Sequence, residues 1–177
     1  TLVAGGSVFL SQRAAAWAPD SSRVAYMADQ DTDNVQEVYT SLPDGTGNVK
    51  ISAPLAADRN ANINTDPSIP GDWAPDSSLV SYVVFATGGG TQIPGFAASP
   101  DGSGATQYTG TMDPAGTGLQ FWPKWSGDSS RLIYVAQQDS ITRELYLVAP
   151  DGTQNEKISG PVVAGGNVNT NFYEWSP

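Results

Sequence analysis

The chain of 177 residues carries 18 acidic and 8 basic side chains, giving a net charge of −10, and it contains neither histidine nor cysteine. This length suits a single domain, 1–177, and the negative charge disfavours binding to nucleic acid or to anionic lipid. The missing residue types exclude disulfides, thiolate chemistry, sulfur-based zinc sites and nucleophiles activated by histidine.

The first predicted unit contains four short strands. Its first strand carries Trp17 and leads into the turn 19–22, where proline fixes φ and the aspartate can accept a backbone N–H two residues further on. Two apolar, β-rich stretches, a Pro-Asp-Gly turn and a last strand follow at 23–27, 37–42, 43–45 and 48–52. Short apolar runs between such turns are typical of an antiparallel meander.

The same order of elements recurs twice. The Trp-Ala-Pro-Asp-Ser-Ser sequence returns at 73–78, and Trp-Ser-Gly-Asp-Ser-Ser stands at 125–130. Pro-Asp-Gly returns in phase at 100–102 and 150–152, and a truncated Trp-Ser-Pro stands at 175–177. In the second unit, residues 93–98 replace the Glu-x-Tyr strand, so we expect an irregular third strand there.

Four-stranded units that recur at intervals of about fifty residues predict the blades of an all-β propeller. A β-helix has shorter repeats, and a sandwich would not carry the same landmarks three times. We expect blade units at 1–52, 53–109 and 110–159, with the start of a fourth at 160–177. Since propellers use four to eight blades, about three blades make a partial or half propeller. Further blades, a second copy or another subunit would complete it.

The repeated units resemble those of a known family. The tryptophan turn, the following [RL]-[VL]-x-Y strand and the Pro-Asp-Gly turn are similar to the repeat of TolB-like β-propellers. The gating domains of prolyl-oligopeptidase-type hydrolases share this repeat. The resemblance covers essentially the whole chain and implies a fold rather than a function. For TolB-like proteins it implies partners such as envelope lipoproteins.

One acidic cluster suggests a cation site. Asp29, Asp31 and Asp33 alternate along a predicted hairpin loop, and such oxygen ligands suit calcium. An EF-hand would need glycine and glutamate where this chain has Asn34 and Thr40. A solvated loop is the competing interpretation, and we predict no cofactor other than this candidate calcium ion.

Residues that vary between the units are the better candidates for ligand contacts. Trp122 and Lys124 precede the third tryptophan, and Phe172 and Tyr173 precede the last one. The strand before the tryptophan normally lies nearest the propeller axis, so these side chains either line a channel mouth and contact a ligand or peptide, or fill space between blades.

Other polar residues have local explanations. The aspartates of the repeated turns are expected to accept hydrogen bonds within them; they are Asp20, Asp44, Asp76, Asp101, Asp128 and Asp151. The polar segment 53–72 is expected to be a loop between blades, either a binding surface or a tolerated insertion.

The sequence contains no Gly-x-Ser-x-Gly elbow. We therefore expect a non-catalytic, extracytoplasmic scaffold, periplasmic, secreted or on the cell surface, that binds a protein or ligand. A carboxylate pair for glycoside hydrolysis stays open at this stage. No apolar run reaches the roughly 20 residues that cross a bilayer.

Two other functions remain open. The blades would gate a prolyl-oligopeptidase-type serine hydrolase whose catalytic domain lies outside this chain, or they would form a structural subunit of a surface or fibrous assembly. The expected partners are a protein, further propeller blades or a homo-oligomeric copy that completes the ring.

Overall fold

The computed structural model describes residues 15–63, 72–87, 93–119, 122–163, 165–169 and 175–176. These residues form twelve strands in three four-stranded antiparallel sheets, here called blades 1, 2 and 3. Blade 1 contains β1 (Ala15–Trp17), β2 (Val24–Ala28), β3 (Glu37–Ser41) and β4 (Val49–Lys50). Blade 2 contains β5 (Arg59–Asn62), β6 (Val80–Ala86), β7 (Gly95–Ala98) and β8 (Ala105–Gln107). Blade 3 contains β9 (Lys124–Trp125), β10 (Leu132–Ala136), β11 (Glu144–Val148) and β12 (Glu156–Lys157).

Each blade is a meander in which consecutive strands are neighbours. The predicted all-β fold of four-stranded antiparallel meanders, about three blades of a partial propeller, is confirmed. Strands with buried β-branched and aromatic side chains occupy the second position, as in β10, where every residue is buried. No helix long and apolar enough to cross a membrane occurs among the described residues.

Stacked aromatic rings join the second and third strands of every blade. Their centroids lie 5.3 to 5.8 Å apart; the pairs are Tyr26–Tyr39, Tyr82–Phe96 and Tyr134–Tyr146. Each pair occupies directly opposite positions of the antiparallel ladder. Cross-strand aromatic pairs of this kind stabilise a sheet beyond their burial alone.

The repeated turns are held by their aspartates, as predicted. The N–H groups of Ser22, Ser78 and Ser130 donate to Oδ1 of Asp20, Asp76 and Asp128 at 2.9, 3.0 and 3.0 Å. The residue between them, Ser21, Ser77 or Ser129, has φ of 62° to 65°. A non-glycine residue in this left-handed region is strained, and the hydrogen bond to the aspartate offsets part of that strain.

The inner strand of blade 2 departs from the prediction. The segment 53–72 was expected to be a loop, but β5 lies within it: Asn62 pairs with Val83, and Trp73 forms a separate bridge to Val80. Asn62 and Trp73 are eleven residues apart, whereas their partners are three apart. The inner strand is thus interrupted by eight extra residues, and its polar composition concealed the strand.

The third strand of blade 2 is regular, so the expected irregularity is wrong. Four consecutive pairs join β7 to β6, and the Val84 N–H extends this ladder to the Pro94 carbonyl at 3.0 Å. Pro94 stands immediately before the strand, where its carbonyl accepts and its missing N–H costs no ladder bond.

Tryptophan indoles connect successive blades. The Nε1–H of Trp73 donates to the Ala16 carbonyl of blade 1 at 3.1 Å, and that of Trp175 donates to the Lys124 carbonyl of blade 3 at 3.1 Å. In both cases the acceptor directly precedes the tryptophan of the preceding unit. The same donor and acceptor positions are therefore used at two successive junctions.

Trp125 breaks this pattern. Its indole is buried, but none of the described residues offers a hydrogen-bond acceptor to its Nε1–H. The equivalent acceptor would be the Asp72 carbonyl, which accepts from the Ser81 N–H at 2.6 Å; Asp72 is opposite Ser81 as Ala16 is opposite Ala25 in blade 1. Asp72 directly follows the eight extra residues of the inner strand.

The tryptophan turns make a second repeated contact. The Asp20 N–H donates to Ser77 Oγ of the next blade at 3.1 Å, and the Asp76 N–H donates to Ser129 Oγ at 3.0 Å. Apolar clusters fill both junctions between these contacts. The blades are therefore stacked in one consistent register.

Candidate functional site

The structure describes two of the four predicted ligand contacts. Trp122 is half-buried and packs against the apolar cluster between blades 2 and 3. Lys124 lies in β9 and is also half-buried. Phe172 and Tyr173 lie outside the described residues. Packing thus occupies much of the Trp122 ring, and ligand contact by these residues stays a prediction.

The three predicted metal ligands do not converge. Asp29 is buried and accepts the Asn34 N–H at 3.3 Å, whereas Asp33 is exposed. Asp31 forms an ion pair with Lys50 at 2.8 Å. Among the described residues, no group of three acidic side chains stands close enough to hold a metal ion. Asp31 belongs instead to a polar network at the end of blade 1.

This network contains four side chains. Lys50 Nζ lies 2.8 Å from Asp31 and 2.9 Å from Glu37, and the Tyr39 hydroxyl donates to the other Glu37 oxygen at 2.8 Å. Glu37 is almost fully buried. A buried carboxylate needs such partners, because burial without them is costly.

Blade 3 repeats the network with equivalent residues. Lys157 Nζ lies 3.1 Å from Glu144 and 3.5 Å from Asp139, and the Tyr146 hydroxyl donates to Glu144 at 3.2 Å. Both networks tie the third strand to the fourth at the same end of the blade. Their repetition indicates a role in holding the blade together.

The networks alter the pKa values of their members. Burial lowers the pKa of Lys50, but its hydrogen bonds to two carboxylates outweigh this, so the pKa is raised. The hydrogen bond to Glu144 raises the pKa of Lys157. Burial, followed by the neighbouring carboxylates, raises the pKa of Tyr39 and of Tyr146. The lysines are therefore held in their charged form and the tyrosines in their neutral form.

A second polar set accompanies each network. In blade 1 the Tyr26 hydroxyl donates to Gln30 at 2.9 Å and accepts from Asn48. In blade 3 the equivalent residues are Tyr134, Gln138 and Asn155. Blades 1 and 3 are thus polar at the same positions.

Blade 2 has lost this polar set. Pro94 stands at the position of the glutamate, Phe96 at that of the tyrosine that donates to it, and Gln107 at that of the lysine. Ala86 and Ala105 stand at the positions of the glutamine and the asparagine. The equivalent tyrosine, Tyr82, instead accepts the Ala53 N–H at 2.9 Å. Charged groups at this place in the other blades are replaced by apolar and uncharged ones.

A cavity of about 400 Å³ lies at this altered end of blade 2. It is bounded by the segments that leave blades 1 and 2, and by β6, β7 and β8. Its apolar lining includes Leu55, Val84, Pro94, Phe96 and Met112, and its polar lining includes Arg59, Gln107 and Thr111. This volume lies within the range of small-molecule sites.

A separate apolar feature lies on the open side of blade 1. Trp17 is 58% exposed, whereas the equivalent Trp73 and Trp125 are each 7% exposed. The hydroxyl-bearing residue of its turn, Ser21, is exposed too. We call Trp17 and Ser21 the blade-1 face; their equivalents in blade 2 contact the preceding blade.

Val168 and Trp175 pack against part of the side of blade 3 that faces away from blade 2, but Ile158 on this side is exposed. Ile158 is 46% exposed, but its equivalent in blade 1, Ile51, is 3% exposed and packs against blade 2. Position in the stack, rather than residue type, decides whether these side chains are covered.

Comparison with solved structures supports a TolB-like propeller fold. A structure described as TolB of Agrobacterium tumefaciens superposes with a TM-score of 0.54 at 16% identity, covering 84% of this chain and 46% of that one. TolB of Acinetobacter baumannii superposes with a TM-score of 0.51 at 11% identity, covering 85% and 33%. The chain therefore spans less than half the length of either structure.

Other comparisons add little. An oligogalacturonate lyase in complex with manganese gives a TM-score of 0.37 at 17% identity, covering 84% of this chain and 36% of that one, a similarity too low to carry an argument. No family model and no curated protein matches the chain. The resemblance to TolB-like propellers expected from the repeats is confirmed at the level of the fold.

The sequence alone indicates that one part of the second unit differs from the other two units. Alignment of the repeats shows that 93–98 replaces the Glu-x-Tyr strand, a departure from the pattern of the other two units. Ala86 in β6 and Ala105 in β8 stand where blades 1 and 3 carry a glutamine and an asparagine. Only the strand register shows that all these substitutions meet at one end of one blade.

Proposed function

We propose that the chain is a non-catalytic β-propeller scaffold that acts outside the cytoplasm and binds through its open blade faces. The observation that carries this proposal is the exposure of Trp17, whose equivalents are buried by a preceding blade. A blade of the same repeat, supplied by further sequence or by a second copy, is the partner that fits this face.

The contacts between blades 1 and 2 define the hydrogen-bonding groups that such a partner must supply. Trp73 finds a carbonyl acceptor on blade 1, and Ser77 Oγ finds a backbone N–H there. A blade placed against Trp17 and Ser21 in the same register would offer one carbonyl and one N–H. Covering the indole would also bury a large apolar surface.

The location and the absence of catalysis rest on other support. The fold is shared with TolB structures, and the resemblance to TolB-like propellers supports a place outside the cytoplasm. The absence of histidine and cysteine from the sequence removes common catalytic nucleophiles and bases. A protein partner of the assembled propeller is part of the proposal.

Sedimentation velocity over a concentration series tests the docking face. We expect the chain to self-associate through its open faces, and we expect Trp17→Glu to weaken this association at least about tenfold, because it places a charge in an apolar junction. Ile141→Glu is the matched control, since Ile141 is equally exposed but lies in the loop between β10 and β11.

Two results would contradict the docking proposal. One is a sedimentation coefficient that does not change with concentration. The other is an equal loss of association in both variants, which would indicate unspecific apolar contact rather than a blade junction.

A further inference from the structure

The cavity in blade 2 has an unusual charge arrangement. Arg59, at the start of β5, lines it and is half-buried. No ion pair or side-chain hydrogen bond joins its guanidinium to another residue in the part of the chain that the structure describes. In a chain with 18 acidic side chains, a half-buried arginine without an acidic partner is unexpected.

The carboxylate next to Arg59 in the sequence does not neutralise this arginine. Asp58 precedes Arg59 in the chain, but its side chain is exposed, and no ion pair between the two occurs. Arg59 is therefore the cation that faces the cavity.

Most of the other side chains that line the cavity are apolar, with Gln107 and Thr111 as the polar exceptions. The aromatic ring of Phe96 stacks on Tyr82 at 5.3 Å, so its position is fixed, and Val84 and Met112 are buried in the apolar clusters on either side. Such a surface favours the apolar body of a ligand, and a guanidinium favours a carboxylate.

We propose that this cavity binds a small organic acid, with its apolar body against Phe96 and Met112 and its carboxylate on Arg59. The site does not depend on how the blade-1 face is covered, and it goes beyond the scaffold role. Blades 1 and 3 cannot form it, because their lysine and glutamate side chains occupy the equivalent place.

The two methionines of the chain permit a direct test. Met112 lines the cavity, whereas Met27 lies in the core of blade 1 and does not. With methionine methyl groups labelled with carbon-13, titration of the chain with 4-phenylbutyrate is expected to shift the Met112 methyl resonance and to leave that of Met27 unmoved. For a ligand of this size the dissociation constant should be on the order of 1 mM.

Charge recognition is tested by matched pairs. The uncharged 4-phenylbutanamide is expected to bind at least about tenfold more weakly, as is 4-phenylbutyrate to Arg59→Gln. Arg143→Gln removes the same charge from blade 3, away from the cavity, and should leave binding unchanged. An unshifted Met27 resonance in each variant confirms that the fold is retained.

Three outcomes would overturn the proposal. The first is a Met112 resonance that does not move with the acid, which would leave the cavity without a ligand of this class. The second is equal affinity for acid and amide, and the third is equal affinity of Arg59→Gln and the unaltered chain. Either of the last two results would show that the cavity does not recognise the carboxylate. None of the three results bears on association through the blade-1 face.

Discussion

At the scale of single residues, the aspartate of each repeated turn contributes more than a surface charge. Asp128 accepts from the Ser126 hydroxyl at 2.6 Å, from the Ser130 N–H at 3.0 Å and from the Ser130 hydroxyl at 2.8 Å. These hydrogen bonds lower the pKa of Asp128 to about 2, and the bond from the Ser126 hydroxyl has the largest effect. The ionised form is therefore the one that the turn holds.

This pKa predicts a pH-dependent contribution to stability. A carboxyl group whose pKa is lower in the folded than in the unfolded chain stabilises the fold at pH values above its unfolded pKa, and this contribution disappears as the pH falls through about 2. In urea unfolding, Asp128→Asn should lower the midpoint at pH 6, and the difference from the unaltered chain should shrink steadily below pH 4.

The control for this prediction is Asp33→Asn. It removes the same charge from an exposed loop position, and no hydrogen bond to the Asp33 side chain occurs among the described residues. A constant difference between Asp128→Asn and the unaltered chain from pH 6 to pH 2 would show that the turn does not favour the ionised carboxylate.

Sequence alone predicts the interactions of single residues well where both partners are close in the chain. The hydrogen bonds of the turn aspartates can be predicted from the sequence, because the Asx interaction joins residues only two positions apart. The ion pair of Asp31 with Lys50 cannot be predicted in this way, because the two residues lie in different hairpins and meet only through the register of the strands. The candidate calcium ligands rest on spacing alone, and spacing cannot show that Lys50 lies beside Asp31.

At the scale of elements, β7 and the segment that follows β8 are packed without spare room. A Cβ atom at Gly95 would overlap the Tyr108 side chain, which is fully buried. The Tyr108 N–H also donates to the Gly95 carbonyl at 3.0 Å. The two segments therefore approach each other closely only because residue 95 is glycine.

We predict that Gly95→Ala lowers the free energy of unfolding by about 1–3 kcal/mol, since the added methyl group overpacks a buried site. Gly104→Ala, in the turn before β8, meets no atom within 4 Å and should change it by less than about 0.5 kcal/mol. Urea unfolding of the two variants gives this comparison. Equal stability of both would contradict the packing of β7 against Tyr108.

The elements themselves were predictable to different degrees. Strands with buried apolar runs, such as β2, β6 and β10, stand out in the sequence because both of their faces are covered. The inner strand β5 consists of Arg-Asn-Ala-Asn, and its polar side chains concealed it. Only its register with β6 identifies it as a strand.

At the scale of the whole molecule, the blades form a stack in which the Trp73 and Trp175 contacts use the same donor and acceptor positions, whereas Trp125 does not. The indole of one unit reaches the carbonyl before the tryptophan of the preceding unit, both from blade 2 to blade 1 and from Trp175 to blade 3. The spacing of the tryptophans predicted the repeat. It did not predict the missing indole acceptor at Trp125, because the spacing of the tryptophans does not show which carbonyl lies beside each indole.

Hydrogen exchange of the indole N–H groups, followed by nuclear magnetic resonance, tests this stacking most directly. Trp73 is buried and donates to Ala16, whereas Trp17 is largely exposed. We expect the Trp73 indole proton to exchange many times more slowly than that of Trp17, with Trp17→Phe and Trp73→Phe assigning the two signals. If both protons exchanged at the rate of a solvent-exposed indole, blade 2 would not pack on blade 1 in this register.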